Sequence, residues 1–159
     1  MKKSSFLVKL KKEKKLQIVE PSEELCSAYT LKSKEYLQLA KLVSNNKFYE
    51  AGVVNAYYAM YYASLALLFI CGIKSENHTA TIMLLKELFG IDILMITQAK
   101  KDRVDSQYYL PDQQQKPVNE SIAKQSIQEA ELFCGLIRSY VESITNSKRE
   151  EARKQVEEI

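Results

Sequence analysis

The stretch AGVVNAYYAMYYASLALLFICGI, Ala51 to Ile73, constrains this chain more than any other. It is the longest apolar run in the sequence and carries four tyrosines as two adjacent pairs, Tyr57-Tyr58 and Tyr61-Tyr62. On a helix, Tyr57 lies one turn from Tyr61 and Tyr58 one turn from Tyr62. Apolar residues fall on both sides. Ala51, Val54, Tyr58, Tyr61, Leu65, Leu68 and Phe69 occupy one, and Val53, Ala56, Tyr57, Ala63, Leu67 and Ile70 the other. A helix that is hydrophobic all round is either the centre of a bundle or a membrane span.

The run is long enough to cross a bilayer, which takes about 20 apolar residues, and a lysine-rich segment precedes it, as the positive-inside rule favours. Two features argue for a buried central helix and no membrane. The four tyrosine hydroxyls would sit at mid-bilayer, whereas tyrosine favours the interface. The rest of the chain also supplies amphipathic helices whose apolar stripes need a partner.

The chain is 159 residues long, one domain's worth, and only 4 glycines and 3 prolines interrupt it. No segment sustains a period-2 alternation, and no Asn-Gly or Asp-Gly hairpin signal occurs. The expected fold is all-α, an antiparallel up-and-down bundle of four to five helices. Pro21-Ser22-Glu23-Glu24 opens a first helix that runs to about Ser44, with Ser22 as cap. Asn45-Asn46 ends it, and the central helix follows from Lys47 or Phe48 to Gly72. Asn77 caps a third helix over about 78–89, stopped by Gly90. Asp92 caps a fourth that reaches Gln107, with Ile93, Leu94, Thr97 and Val104 facing inward. A polar loop over Asp112–Lys116 leads to a last helix from Val118-Asn119, striped by Ile122, Ile127, Ala130, Phe133, Cys134, Ile137, Val141 and Ile144.

The two ends read differently. Residues 1–15 hold seven lysines against one glutamate, so the net charge of +3 leaves −3 on the rest of the chain. The body is therefore no broad nucleic-acid-binding surface. Residues 1–20 read as a basic arm, a solvated tail able to add salt-dependent affinity for an acidic partner or RNA. Residues 21–146 read as the bundle. Residues 147–159 are nearly all charged and read as a frayed tail or a solvated helix extension. The three cysteines, Cys26, Cys71 and Cys134, are far apart among apolar neighbours and form no CxxC pair. They read as core filler in a reducing compartment. Residues 1–15 lack the apolar region of a signal peptide, which points to a cytoplasmic protein.

Motifs for common chemistries are missing: no Walker loop, GxGxxG, GxSxG or HExxH is present, and the single histidine, His78, rules out paired-histidine metal sites. No metal or cofactor is expected. One cluster stands out. Lys100, Lys101, Arg103, Asp105, Tyr108 and Tyr109 crowd the end of the fourth helix. A guanidinium can grip a phosphate in bidentate fashion, and nearby tyrosines can stack on a base or lend a hydroxyl. The competing reading is a polar helix end with an Arg–Asp surface pair, worth under ~1 kcal/mol. His78 is notable for a reference pKa of about 6.5, although a histidine at a helix start is commonly a cap-region residue.

Asn55-Ala56-Tyr57-Tyr58-Ala59-Met60-Tyr61-Tyr62-Ala63 with Ala66-Leu67-Leu68, then Gly72-Ile73-Lys74, His78, and Arg103-Val104-Asp105-Ser106-Gln107-Tyr108-Tyr109, resembles the HEPN domain superfamily, over roughly residues 25–145. The resemblance implies a helical bundle, usually a homodimer, associated with RNA or nucleotides. Many such proteins are metal-independent endoribonucleases. Others pair with a minimal nucleotidyltransferase in toxin–antitoxin systems, and that partner can add AMP to a tyrosine. The family's ribonuclease motif is an arginine followed, after four to six residues, by a histidine. Arg103 fills the first place, but the second falls on Tyr108, Tyr109 or Leu110.

The resemblance thus implies Arg103, His78 and Tyr108 as catalytic candidates. Arg103, Asp105, Lys100, Lys101 and Tyr109 become the RNA- or nucleotide-binding candidates, with Asp105 orienting Arg103. Tyr108 and Tyr109 become the candidate AMP acceptors. Cleavage through the RNA 2′-hydroxyl needs an acid or base and a cation. A tyrosine of pKa about 10 is a poor base, so His78 would have to lie beside Arg103. The alternative is a non-catalytic helical module that binds a partner protein.

Overall fold

In the computed structural model, which describes residues 4–107 and 117–159, the chain is all-α apart from one two-stranded ribbon. The helices are α1 (Ser5–Lys12), α2 (Glu23–Asn45), α3 (Tyr49–Ile70), α4 (His78–Phe89), α5 (Leu94–Gln107), α6 (Glu120–Ser143) and α7 (Asn146–Glu157). The strands are β1 (Leu16–Ile18) and β2 (Ile73–Ser75), paired antiparallel with Leu16 opposite Ser75 and Ile18 opposite Ile73.

The helix ends follow from local chemistry. The side chains of Ser22, Asn77 and Asn119 accept hydrogen bonds from the amides of Leu25, Ala80 and Ile122, supplying partners to otherwise orphaned N–H groups. The Asp92 carboxylate accepts from the Leu94 amide at 2.9 Å. Gly90 ends α4 in the left-handed region, φ 67°, where a Cβ is costly.

Helix α3 is the axis, with α2, α5 and α6 packed around it. Beyond Glu50, only Ala51, Val54, Asn55, Tyr58 and Tyr62 of α3 escape full burial, and they form one i, i+3/i+4 stripe. Of its most apolar 18-residue window, 78% is buried inside the protein. Other helices, not lipid, cover its hydrophobic surface.

Both ends depart from the sequence expectation. The lysine-rich segment is no plain tail: α1 buries Leu7 and Leu10, and β1 buries Leu16. The lysines mask a short amphipathic helix whose apolar residues recur at i and i+3. The C-terminal segment is neither frayed nor a continuation of α6. The backbone extends at Ile144 (φ −65°, ψ 123°), and Thr145 caps a new helix, α7, which buries Ala152 and Val156. Lys11 donates to the Val156 and Glu157 carbonyls, capping α7, and Arg153 donates to the Val19 carbonyl. Two alanine- or valine-sized anchors in a charged stretch are too faint a stripe to read from sequence.

Helix α5 is rotated from its expected setting. Ile96 and Ala99 are buried, whereas Leu94 is 73% exposed and Thr97 is also exposed. Ile122, expected on the inward stripe of the last helix, is 37% exposed. The inward face of α5 runs Ile96, Ala99, Lys100, Arg103, so the stripe that begins apolar ends in two cations. That rotation creates the site.

Candidate functional site

Three elements converge. Helix α3 contributes Tyr57, Tyr58 and Tyr61 from consecutive turns, α4 contributes His78 at its first residue, and α5 contributes Lys100 and Arg103. The β1–β2 ribbon and the Asn77 cap fix where α4 starts, and with it the position of the His78 ring.

His78 lies flat on Tyr61, with ring centroids 3.9 Å apart and planes within 3°. Its Nδ1 is 2.5 Å from the Tyr57 hydroxyl. Arg103 Nη1 donates to the Tyr58 hydroxyl at 3.0 Å, and its guanidinium carbon sits 5.3 Å and 5.6 Å from the Tyr57 and Tyr58 ring centroids. Such placement over ring faces is electrostatically favourable for a cation. Lys100 donates to the Thr79 hydroxyl beside His78.

The electrostatics are those of a positive, partly desolvated corner. Burial, then the charges of Arg103 and Lys100, pull the His78 pKa down to about 4. Burial and Arg103 lower that of Lys100. Burial pushes the Tyr57 and Tyr61 phenols up. At neutral pH, therefore, His78 is uncharged and both phenols keep their protons.

Arg103 holds no carboxylate among the described residues. Its neighbour Asp102 accepts from Gln98 at 2.7 Å. Asp105, expected to orient Arg103, is exposed. At about 100° per residue it points to the far side of the helix, so the Arg–Asp pair is not formed. Lys101 is exposed for the same reason, and of the two lysines only Lys100 joins the site. Arg103 Nε is buried with no hydrogen-bond partner among the described residues. A buried donor without a protein partner costs about 1–3 kcal/mol. Tyr108 and Tyr109 lie outside the described residues.

The tyrosines of α3 were legible as a helix signature but not as site residues. The one available signal was that buried phenols require hydrogen-bond partners. Those partners come from α4 and α5. Among the described residues, no group of three or more metal-ligating side chains occurs.

The family model of the HEPN domain matches residues 26–140, well over half of the chain. The chain belongs to the HEPN domain family. The match runs from the first turn of α2 to the last turns of α6 and includes every residue of the tyrosine–histidine–arginine site. HEPN membership gives the chain an RNA- or nucleotide-associated function in general terms. Helices α1 and α7, which tie the two ends together, fall outside the HEPN match. No curated protein matches the chain.

Proposed function

We propose that this HEPN protein binds RNA or a nucleotide through its phosphate at the corner formed by Arg103, Lys100 and His78. The observation that carries the reading is Arg103: a half-buried guanidinium with Nη1 held by Tyr58 and no carboxylate partner among the described residues. Bidentate phosphate recognition by arginine is strong and geometrically selective. Lys100 adds positive charge, and the tyrosine rings offer surfaces on which a base can stack.

Binding is favoured over metal-independent cleavage. His78, with a pKa near 4, is a weak base, and catalytic proton transfer is most effective when the pKa lies near the working pH. The raised phenols of Tyr57 and Tyr61 are no better bases. In the cell the protein acts in the cytoplasm as a homodimer, as the HEPN component of a toxin–antitoxin or defence pair whose partner is a minimal nucleotidyltransferase. This pairing rests on the family likeness.

A second reading, a non-catalytic module docked on a partner protein, draws support from the exposed leucines: Leu31 and Leu42 on α2, and Leu132 and Leu136 on α6. The deciding experiment measures RNA binding and cleavage in excess chelator for wild type, Arg103→Ala and His78→Ala. Binding lost in Arg103→Ala, with no cutting by wild type, supports the phosphate-site reading. Cutting by wild type that Arg103→Ala abolishes makes the protein a ribonuclease. Equal behaviour of wild type and Arg103→Ala leaves the interaction module.

A further inference from the structure

The Tyr57–His78 contact can be read for its proton. The Tyr57 ring is 0% exposed, and among the described residues its hydroxyl meets one polar partner, His78 Nδ1, at 2.5 Å. Either atom could donate in principle, and the inventory of partners decides. Were Nδ1 to carry the proton and donate, the phenol O–H would be left buried with no acceptor. When the phenol donates instead, both groups are satisfied, and the ring's proton moves to Nε2. That nitrogen has no protein partner among the described residues, and the residue that carries it is only half-buried. The unsatisfied group then belongs to a half-buried ring that feels the charges of Arg103 and Lys100.

The surroundings keep the ring neutral and still. From α3 it meets Tyr57, Tyr58 and Tyr61. From α5 it faces the positive charges of Lys100 and Arg103. No carboxylate bonds it among the described residues, so nothing there favours an imidazolium. The 3.9 Å stack on Tyr61 fixes the ring plane.

We infer that Tyr57 is a positioning residue that holds His78 as its Nε2–H tautomer, making the imidazole an uncharged hydrogen-bond donor to a phosphoryl oxygen of the ligand at Arg103. This rests on the phosphate-site reading above. His78 thereby adds a directed donor without a second charge, and its contribution to binding stays level from about pH 8 to 5.5, where an ordinary histidine would titrate. The same arrangement removes the lone pair a general base would use at Nε2.

His78 is the sole histidine of the chain, so its ring nitrogens can be read without assignment ambiguity in a long-range proton–nitrogen NMR spectrum of the labelled full chain. The expected wild-type pattern is the neutral Nε2–H tautomer from pH 8 to 5.5. Tyr57→Phe, which removes one oxygen and keeps the ring, should give a mixture of tautomers and a higher titration midpoint. Tyr61→Phe keeps the stack and should leave the tautomer unchanged. A short 2′-O-methyl oligouridylate, which cannot be cut through its own sugar, should shift the Nε2–H signal. An Nδ1–H tautomer or an imidazolium at pH 7 in wild type overturns the inference, as does a Tyr57→Phe spectrum identical to wild type. If the oligomer shifts other signals but leaves Nε2–H unmoved, the donor role is lost. If it shifts nothing while the tautomer is as expected, the phosphate-site reading fails and the Tyr57–His78 relationship stands.

Discussion

Arg103 on α5 and Tyr58 on α3 are joined by a 3.0 Å hydrogen bond from the guanidinium to the phenol. One guanidinium nitrogen is thereby committed to the protein, which orients the rest, while Nε remains unpartnered among the described residues. A cation held by a neutral phenol keeps its full charge for an incoming anion. A carboxylate in the same place would cancel it.

Arg103→Ala should therefore lower RNA or nucleotide affinity by roughly 10–100-fold, the loss of one charge-assisted interaction of about 1.5–3 kcal/mol. Thermal stability should change by no more than about 1 kcal/mol, because the lost phenol bond and ring contacts are offset by removal of the orphaned donor. Fluorescence anisotropy with a labelled oligonucleotide and a melting curve check both halves. A large stability loss with unchanged affinity would make Arg103 a structural residue.

His78 makes stability depend on pH with a definite sign. Its pKa is about 6.5 in an unfolded chain and about 4 in the fold. As pH falls through that window, the unfolded chain takes up a proton that the folded chain refuses. Stability is thus full above about 6.5, declines below it and stops declining near 4. The ring is only half-buried, so the contribution is on the order of 1–2 kcal/mol once screening is allowed for. Urea titrations at several pH values should show a correspondingly smaller acid loss in His78→Gln than in wild type.

The lysine-rich N-terminus should behave as part of the fold. Leu7 is 1% exposed, and truncating a buried leucine to alanine costs about 2–5 kcal/mol. Leu7→Ala should fall in that range by chemical denaturation. The exposed Lys12, changed to alanine, should stay within about 0.5 kcal/mol. Equal, negligible effects would return the segment to a tail.

Two glycines with the same backbone twist should respond differently. Gly72 (φ +69°) and Gly90 (φ +67°) are both left-handed, a conformation that costs an L-residue roughly 1–2 kcal/mol. A Cβ at Gly90 meets nothing within 4 Å, whereas one at Gly72 would come within 2.6 Å of the Val19 carbonyl oxygen. Gly90→Ala should cost only the conformational term. Gly72→Ala should cost clearly more, because the backbone linking β1 to the end of α3 must move. Melting temperatures of the two variants give the comparison.

Much of the architecture was legible because it follows local rules. Ser22, Asn77, Asn119 and Gly90 mark helix ends by residue type, and the Ala51–Ile73 run marks the central helix by being apolar on every side. Arg103 and His78 were each recognisable as chemically interesting. Their common corner was not, since no pattern within one helix ties a residue of α5 to the first residue of α4. Tyr57 and Tyr58 were hidden as site residues by their use as core residues.

Sequence alone thus determined the five helices α2 to α6, their approximate boundaries and the identity of the central one. Capping, periodicity and side-chain size act over three or four residues and need no partner. The tertiary structure decided which face of α5 turned inward, and so that Lys100 and Arg103, rather than Leu94 and Thr97, would line α3. It also decided that both charged ends would dock together through Lys11, Arg153 and the β1–β2 ribbon. Those outcomes depend on which surfaces remain to be covered once the other helices are in place, and burial of that kind is a property of the assembled bundle.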